Sequence, residues 1–246
     1  MASRPAISLI TVDLDDTLWP CEPVILAAER ELHDWLRRRA PRLARDHDMS
    51  SLRRHRQQIG ALRPDIAHDI TELRRLSLHN LLQDYQYSGD LAQQAMEVFL
   101  QRRNRVEPYP EVPAALKRLG RDYRLVATTN GNADVERTPL RGLFHYSINA
   151  AQAGAAKPAP DLFLRALEWG GVAPQQAVHL GDDPLLDVCG ARQVGMYTVW
   201  VNRSGRQWPE EQPRADLTVA DLQGLFEWIG GANSVHTSRT EYQGED

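Results

Sequence analysis

Short apolar runs alternate with amphipathic helical patterns along most of the chain. Six runs predict buried strands, at 7–12, 125–128, 146–150, 177–180, 197–201 and 217–219. Helical patterns at 112–119, 162–168 and 185–194 are each followed by a glycine, which commonly ends a helix. A last helix is expected to follow an N-cap at Asp221 and to end before Gly230. Strands that alternate with helices are typical of a parallel sheet covered on both faces, so the pattern predicts an α/β fold.

The stretch 20–106 has a different pattern. A first helix carries Ala28 and Leu32 on one face, a second is expected to begin at Pro64, and a third covers 91–99. Because this stretch has no clear strand pattern, an all-helical insertion is expected directly after the first strand. The predicted division is an α/β core at 6–19 and 107–231, a helical cap at 20–106, and a polar, disordered tail at 232–246.

Composition and charge exclude several classes of partner. The 246 residues are 42% apolar and carry a net charge of −4, which gives no general attraction to nucleic acid or to a membrane surface. No apolar run has membrane-spanning length, and residues 1–5, which are short and polar, are not expected to act as a signal peptide. The two cysteines, Cys21 and Cys189, are expected to be reduced in a cytoplasmic protein, although their spacing leaves a disulfide open.

The arginine-rich stretch 30–63 predicts either solvated helix faces or a basic surface that attracts an anionic substrate.

Polar residues follow several of the predicted strands. Asp13 and Asp15 come directly after the first strand, two residues apart and on the same side, so their carboxylates can converge. Two like charges so close favour a cation between them, and oxygen ligands favour a divalent ion. Three further elements are Thr129-Asn130-Gly131, Lys157 and the run 181–187, which contains Asp182 and Asp187. Ligands bind at the carboxyl ends of strands in an open parallel sheet, so we expect the four elements to meet there.

In this order and spacing, the four elements resemble the motifs of the haloacid dehalogenase-like hydrolase superfamily, and within it the phosphatases with a helical cap after the first strand. The resemblance implies a doubly wound, Rossmann-like parallel sheet core with an inserted all-helical cap. It also implies a two-step phosphoryl transfer that depends on Mg²⁺. Asp13 resembles the nucleophile that becomes an aspartyl-phosphate. Asp15 resembles the general acid that protonates the leaving group and then, as base, activates water.

The resemblance also implies roles for the other site residues. Thr129 and Asn130 would bind the transferred phosphoryl group, and Lys157 would stabilise its negative charge. The metal would be held by Asp13, Asp182 and the backbone carbonyl of Asp15, with Asp187 behind them or reaching the metal through water.

Other polar residues near these elements have a structural interpretation. Asp16 is expected to cap or to stabilise the turn, and His179, inside a strand, is expected to belong to the core. Asp183 precedes Pro184 and therefore fits a helix N-cap as well as a metal ligand. Cys21 follows the first motif, but no partner pattern supports a nucleophilic thiol.

The chemistry can be narrowed within the superfamily. Its dehalogenases attack carbon and carry no acid two residues after the nucleophile, so Asp15 favours phosphate esters. Its phosphonate-cleaving members use a cap lysine, and the stretch 20–106 contains no lysine. A phosphomutase and a non-catalytic binding protein remain as less favoured alternatives.

The segments 18–26, 64–71, 130–133 and 181–183 resemble bacterial phosphatases that act on flavin mononucleotide and on a phosphorylated ribityl-uracil precursor of riboflavin. The partner implied is a small phosphorylated metabolite. Trp19, His68 and several cap arginines are expected to face its organic part, although Trp19 also fits packing at the cap hinge and His68 the cap surface. Nucleoside monophosphates, sugar phosphates and phosphoglycolate are alternative substrates. We expect a monomer or a homodimer.

Overall fold

The centre of the molecule is a sheet of six parallel strands. The computed structural model describes residues 7–233, with side chains described as far as Ile229. The strands are β1 (Leu9–Val12), β2 (Arg124–Thr129), β3 (Tyr146–Asn149), β4 (Ala177–Gly181), β5 (Tyr197–Val201) and β6 (Leu217–Val219). Their order is β3-β2-β1-β4-β5-β6, and all neighbours are parallel. This is the order of a doubly wound sheet, which confirms the predicted fold class.

Helices cover both faces of the sheet. They are α6 (Val112–Asp122), α7 (Ala150–Ala153), α8 (Asp161–Gly170), α9 (Gly190–Gln193) and α10 (Gly224–Asn233), and a π-helical segment, Pro184–Cys189, precedes α9. Successive residues of a strand point to opposite faces. Accordingly, Ile10 packs in the cluster that contains Leu116 of α6, whereas Leu9 packs with Phe163 of α8. Both clusters are buried, so each face of the sheet contributes to the core.

A helical unit lies between β1 and α6, where the sequence predicts the insertion. Its helices are α1 (Cys21–Arg39), α2 (Pro41–Asp46), α3 (Met49–Leu62), α4 (Ile70–Asp84) and α5 (Leu91–Arg103). They enclose an apolar cluster of their own, to which Leu36, Leu82 and Phe99 belong. We call this helical unit the cap.

Several predicted boundaries are wrong. The cap contains five described helices rather than three, and Pro64 begins only a 3₁₀ turn, Pro64–Ile66, ahead of α4. Gly120 lies inside α6, and α10 continues past Gly230 to Asn233. The first two residues of the predicted tail therefore belong to α10, and residues 234–246 lie outside the described part of the chain.

The two cysteines do not form a disulfide. Cys21 and Cys189 are both free thiols, as expected of reduced cysteines. Between residues 7 and 233, no helix is both long and apolar enough to cross a membrane. The cap and the core are therefore held together, within the described residues, without a disulfide.

Candidate active site

The predicted site residues converge at the carboxyl edge of the sheet. The strand β1 lies between β2 and β4, so the residues that follow these three strands are neighbours. Asp13 continues β1, and its backbone N–H donates to the carbonyl of Leu180 at 2.8 Å. This bond fixes the Asp13 backbone directly beside the end of β4.

Lys157 joins two of the acidic residues. Its Nζ donates to Asp13 Oδ1 at 2.6 Å, to Asp187 Oδ1 at 2.6 Å and to the Thr128 carbonyl at 3.1 Å. Its side chain is only 2% exposed. Although burial favours the neutral amine, the charges of Asp13 and Asp187 raise the pKa of Lys157 above its ordinary value. The ammonium is therefore charged and fixed in place at neutral pH.

Asp187 is surrounded by donors. Its Oδ1 accepts hydrogen bonds from Lys157 Nζ and from His179 Nε2, which lies 3.0 Å away. Its Oδ2 accepts from the backbone N–H of Asp183 at 3.0 Å. Burial alone would raise the pKa of Asp187, but Lys157 and the His179 hydrogen bond hold it below the ordinary value. Because both of its oxygens accept hydrogen bonds, the Asp187 carboxylate is fixed in direction and in turn orients Lys157.

His179 belongs to the core, as predicted, and also supports the site. It is 1% exposed, and burial lowers its pKa, so the ring is neutral at physiological pH. A neutral ring donates from one nitrogen and accepts at the other. Since Nε2 lies against the Asp187 carboxylate, Nδ1 accepts from the Thr11 hydroxyl at 2.8 Å. His179 thereby fixes Asp187 from inside β4.

Three carboxylates form a candidate metal centre. Oxygens of Asp13, Asp182 and Asp187 lie within 4.8 Å of one another. Burial, and then the charge of Asp187, raises the pKa of Asp182 to about 6, and burial raises the pKa of Asp13 well above its ordinary value. Burial therefore disfavours the charged forms of these two carboxyl groups. Hard divalent cations prefer such oxygen ligands, so the donor set fits Mg²⁺.

Asp182 lies at the accessible side of this cluster. Arg206 Nη2 donates to its Oδ2 at 3.0 Å and to its carbonyl at 2.7 Å, and Trp200 Nε1 donates to the same carbonyl at 2.8 Å. A cavity of about 210 Å³ next to it is lined by Asp16, Tyr109, Asp182, Val201, Arg203, Ser204 and Arg206. Of the three clustered carboxylates, Asp182 is the one that lines this cavity.

The loop after β2 supplies polar groups to the same edge. The backbone N–H of Gly131 donates to Thr129 Oγ1 at 2.9 Å. The Asn130 side chain instead brackets the backbone of Lys157: its Oδ1 accepts from the Lys157 N–H at 2.7 Å and its Nδ2 donates to the Lys157 carbonyl at 2.9 Å. The Asn130 side chain therefore positions Lys157, and the phosphoryl contact predicted for Asn130 stays a prediction.

Asp15 is held by two donors. Trp19 Nε1 donates to its Oδ1 at 2.9 Å, and Arg103 Nη2 of the cap donates to its Oδ2 at 2.5 Å. Trp19 is fully buried and Arg103 is 1% exposed. The substrate-stacking role predicted for Trp19 does not fit this burial, because neither face of the indole is accessible. The structure favours the hinge-packing interpretation, in which Trp19 fixes the Asp15 carboxylate.

Gly131 should be sensitive to the smallest substitution. A Cβ at this position would lie 2.6 Å from Asp15 Oδ2, 3.1 Å from Thr129 Oγ1 and 3.2 Å from Arg103 Nη2. Asp15 is held on both oxygens, so it cannot turn aside without losing a bond. We expect Gly131→Ala to lower kcat/KM on the order of 100-fold, as small displacements of reacting groups do, while the thermal midpoint changes little.

Gly60→Ala in α3 is the matched control, since its Cβ would make an ordinary 3.6 Å contact with Leu73. It should keep full activity and gain about 0.5–1 kcal/mol, because alanine is the better helix former. Equal kcat/KM values for the two variants would show that Asp15 is not held as described.

The remaining predicted residues have structural positions. Asp183 Oδ1 accepts from the backbone N–H groups of Leu185 and Leu186, both at 2.8 Å, so it is a helix N-cap. Asp16 has a φ of +60° and its Oδ1 accepts from the Cys21 N–H at 2.9 Å, which fits the expected turn role. His68 is half-buried in the turn before α4.

Sequence reasoning missed Arg103 and Arg206, which contact Asp15 and Asp182. Neither stands in a recognisable motif, and both occur among many surface arginines. The only signal in the sequence is the position of Arg103 close to the return of the chain from the cap to the core.

Comparisons with known proteins agree with this geometry. A family model described as haloacid dehalogenase-like hydrolase matches residues 7–195. The Escherichia coli K12 protein named 5-amino-6-(5-phospho-D-ribitylamino)uracil phosphatase YigB is 36% identical over 199 residues, which cover 79% of this chain and 83% of that protein.

Two solved structures are similar over nearly the whole chain. A protein named 2-haloacid dehalogenase from Pseudomonas syringae pv. Tomato DC3000 is 39% identical with a TM-score of 0.86, covering 92% of this chain and 99% of that one. An HAD phosphatase from Thermococcus onnurineus is 26% identical with a TM-score of 0.66 and the same coverage. With the family model matching more than half of the sequence, the chain belongs to the haloacid dehalogenase-like hydrolase family.

Proposed function

We propose that the chain hydrolyses a small phosphate monoester in two steps, through an aspartyl-phosphate on Asp13, with Mg²⁺ bound beside it. Its general class, a phosphatase, is supported by the family and by relatives named as phosphatases. The observation that carries the finer proposal is the Asp13 carboxylate, 2.6 Å from the Lys157 ammonium and grouped with Asp182 and Asp187. This arrangement fixes a nucleophilic oxygen where a phosphoryl group can be neutralised.

The first step forms a bond between an Asp13 carboxylate oxygen and phosphorus, and breaks the bond from phosphorus to the leaving oxygen. Asp15, as a carboxylic acid, gives its proton to that oxygen. In the second step the Asp15 carboxylate takes a proton from a water molecule, whose oxygen attacks phosphorus. The bond between phosphorus and the Asp13 oxygen breaks, phosphate leaves, and the Asp13 carboxylate is restored.

Other residues of the chain hold this arrangement. Lys157 balances negative charge on the phosphoryl oxygens, Asn130 and Asp187 fix Lys157, and Thr129 would bind a phosphoryl oxygen. Asp13, Asp182 and the Asp15 carbonyl would hold the metal. When bound, a divalent ion supplies further positive charge at the phosphoryl group.

Asp15 is the feature that favours phosphorus over carbon as the site of attack. An alkoxide leaving group needs a proton, whereas a halide ion leaves without one. Asp15 lies at the same edge as Asp13, where it can supply that proton. The high similarity to a protein named 2-haloacid dehalogenase makes release of halide the competing activity to test.

Among phosphate esters, we propose flavin mononucleotide or a ribityl-uracil phosphate of the riboflavin pathway. The support is the relative named for the uracil compound, which matches most of both chains. Nucleoside monophosphates, sugar phosphates and phosphoglycolate are the alternatives. A cytoplasmic location, which fits the two free thiols, is part of the same proposal.

The test is phosphate release from these compounds by the purified protein, with Mg²⁺ and with a chelator, beside halide release from 2-chloropropionate. We expect turnover of at least one phosphate ester that stops with the chelator and returns when Mg²⁺ is added in excess. The flavin or ribityl-uracil compound should have the highest kcat/KM. Halide release without phosphate release would contradict the proposed function, and a different ranking would contradict the substrate alone.

A further inference from the structure

The turn that links β1 to α1 carries Asp15. Two backbone bonds close it: the Leu18 N–H donates to the Leu14 carbonyl at 2.8 Å, and the Asp16 N–H donates to the Trp19 carbonyl at 2.8 Å. The Trp19 indole then holds the Asp15 carboxylate from within the same turn. The position of that carboxylate therefore depends on how the turn is fixed to the rest of the core.

Arg203, in the loop after β5, contacts this turn. Its Nε donates to the Thr17 carbonyl at 2.9 Å, and its Nη2 donates to Glu111 Oε1 at 2.7 Å. The same guanidinium lies over the Tyr109 ring, 3.8 Å from the centroid. Thr17 precedes the cap, whereas Tyr109 and Glu111 follow it. One side chain of the core therefore joins the two segments by which the chain enters and leaves the cap.

The segment that returns from the cap is bonded to the same turn. The Tyr109 N–H donates to the Leu18 carbonyl at 2.9 Å. Two consecutive carbonyls of the turn, those of Thr17 and Leu18, thus accept from Arg203 and from the residue whose ring Arg203 covers. Since Thr17 is fully buried, loss of the Arg203 donor would leave its carbonyl unsatisfied or force the turn to move.

Arg203 is itself held in place by its neighbours. The backbone N–H of Asn202 donates to the Val219 carbonyl of β6 at 2.7 Å. The Asn202 side chain brackets the Arg206 backbone: its Oδ1 accepts from the Arg206 N–H at 2.9 Å, and its Nδ2 donates to the Arg206 carbonyl at 2.8 Å. The side chain of Arg203 is only 14% exposed. These contacts make Arg203 a fixed point of the core against which the turn is held.

The type of residue fits this place. A single buried carbonyl needs only one donor, but the planar guanidinium of arginine donates in two directions and stacks on an aromatic ring at the same time. The donors to the Asp15 side chain come from elsewhere, since Trp19 belongs to the turn itself and Arg103 to the cap. The bond from Arg203 to Thr17 therefore links the turn that carries Asp15 to the sheet.

We propose that Arg203 is a positioning residue for the general acid. By holding the Thr17 carbonyl, it keeps the Asp15 carboxylic acid where the leaving oxygen of a phosphate ester takes its proton. In this role Arg203 acts through the turn and touches none of the reacting groups. The inference rests on the proposed phosphatase function and adds to it a residue that lies outside the four sequence elements.

The experiment measures how the effect of Arg203→Met depends on the leaving group. p-Nitrophenolate leaves without a proton, whereas the alkoxide of an alkyl phosphate needs one. The substrates are p-nitrophenyl phosphate and flavin mononucleotide, or another alkyl phosphate if the wild type turns it over faster. We expect kcat/KM for the alkyl phosphate to fall by about 10- to 100-fold, as displacement of the acid would cause. For p-nitrophenyl phosphate it should stay within about threefold of wild type, because kcat/KM reports only the steps through the first phosphoryl transfer.

Two further variants separate positioning from a general loss of structure. In Asp15→Asn, which lacks the acid, adding Arg203→Met should change the remaining kcat/KM for the alkyl phosphate by less than about threefold. Arg118→Met in α6 is the matched control, because the Arg118 guanidinium also lies over an aromatic ring, that of Phe226, 4.0 Å from the centroid. This variant should leave kcat/KM for both esters within about threefold of wild type.

A loss that is no larger for the alkyl phosphate than for p-nitrophenyl phosphate would overturn the inference, and so would a loss as large in Asp15→Asn as in the wild type. If thermal melting shows that Arg203→Met is unfolded, Arg203→Lys decides the question by the same ratio, since an ammonium lacks the planar fork. A wild-type protein that hydrolyses no ester would contradict the proposed function, whereas an unselective loss would contradict only the role of Arg203.

Discussion

Asp13→Asn is expected to lower phosphate release on the order of 10⁴-fold or more, because the amide that replaces the carboxylate is a poor nucleophile. The change keeps the shape of the side chain, and the backbone bond from position 13 to Leu180 remains. The fold should therefore survive. The measurement is kcat/KM with the best phosphate ester, beside the thermal midpoint.

The matched control is Asp183→Asn, the same exchange at a neighbouring loop. Asp183 caps the following helix through its side-chain oxygen, and asparagine is an equally good N-cap. Activity of this variant should stay within about threefold of wild type, since neither the nucleophile nor Lys157 is affected. If Asp13→Asn retained activity near that of this control, hydrolysis would not require a covalent intermediate on Asp13.

Lys157→Met should have the second largest effect, on both activity and stability. The substitution leaves the Asp13 and Asp187 carboxylates buried without the ammonium that lies 2.6 Å from each. Removing one partner of a buried ion pair costs about 3–5 kcal/mol. Without the positive charge at the phosphoryl group, kcat should fall on the order of 1,000-fold.

The pH dependence of unfolding shows whether Lys157→Met loses stability because the buried carboxylates lack the ammonium or because packing is lost. Asp187 has a lowered pKa in the wild type, so the stability it contributes is present above the pKa of the unfolded chain and is lost as the pH falls. The difference in unfolding free energy between wild type and Lys157→Met, measured by urea titration with a chelator, should therefore narrow below about pH 4. Lys117→Met, at the only other lysine of the chain and exposed on α6, should behave as wild type at every pH. A difference that stays constant with pH would mean that packing, and not charge, makes Lys157 necessary.

The sheet was predictable because its strands are short, buried runs that differ clearly from the helical patterns between them. The cap was harder to predict. The helix α3 has no buried residue, and its arginines indicated only a solvated or basic surface. The helices α6 and α10 continue through glycines that the sequence marks as stops, since tertiary packing outweighs the modest helix cost of glycine.

The site was predictable where residues stand next to a strand end in a recognisable order. Asp13 and Asp182 come together because β1 and β4 are adjacent, and Lys157 reaches them from the loop between α7 and α8. The contacts of Asn130 with Lys157 and of Arg103 with Asp15 could not be predicted. Each depends on side-chain direction and on the docking of the cap, which no local pattern encodes.

The central claim is that phosphate is transferred to Asp13, and trapping that intermediate tests it most directly. Enzyme mixed with substrate and Mg²⁺ is quenched in acid within a single turnover and reduced with borohydride, which converts an aspartyl-phosphate into homoserine. Peptide mass spectrometry should then find homoserine at position 13 and leave Asp15 unchanged, with no signal in Asp13→Asn. Substrate turnover without homoserine at position 13 at any quench time, or homoserine at another position, would contradict the account.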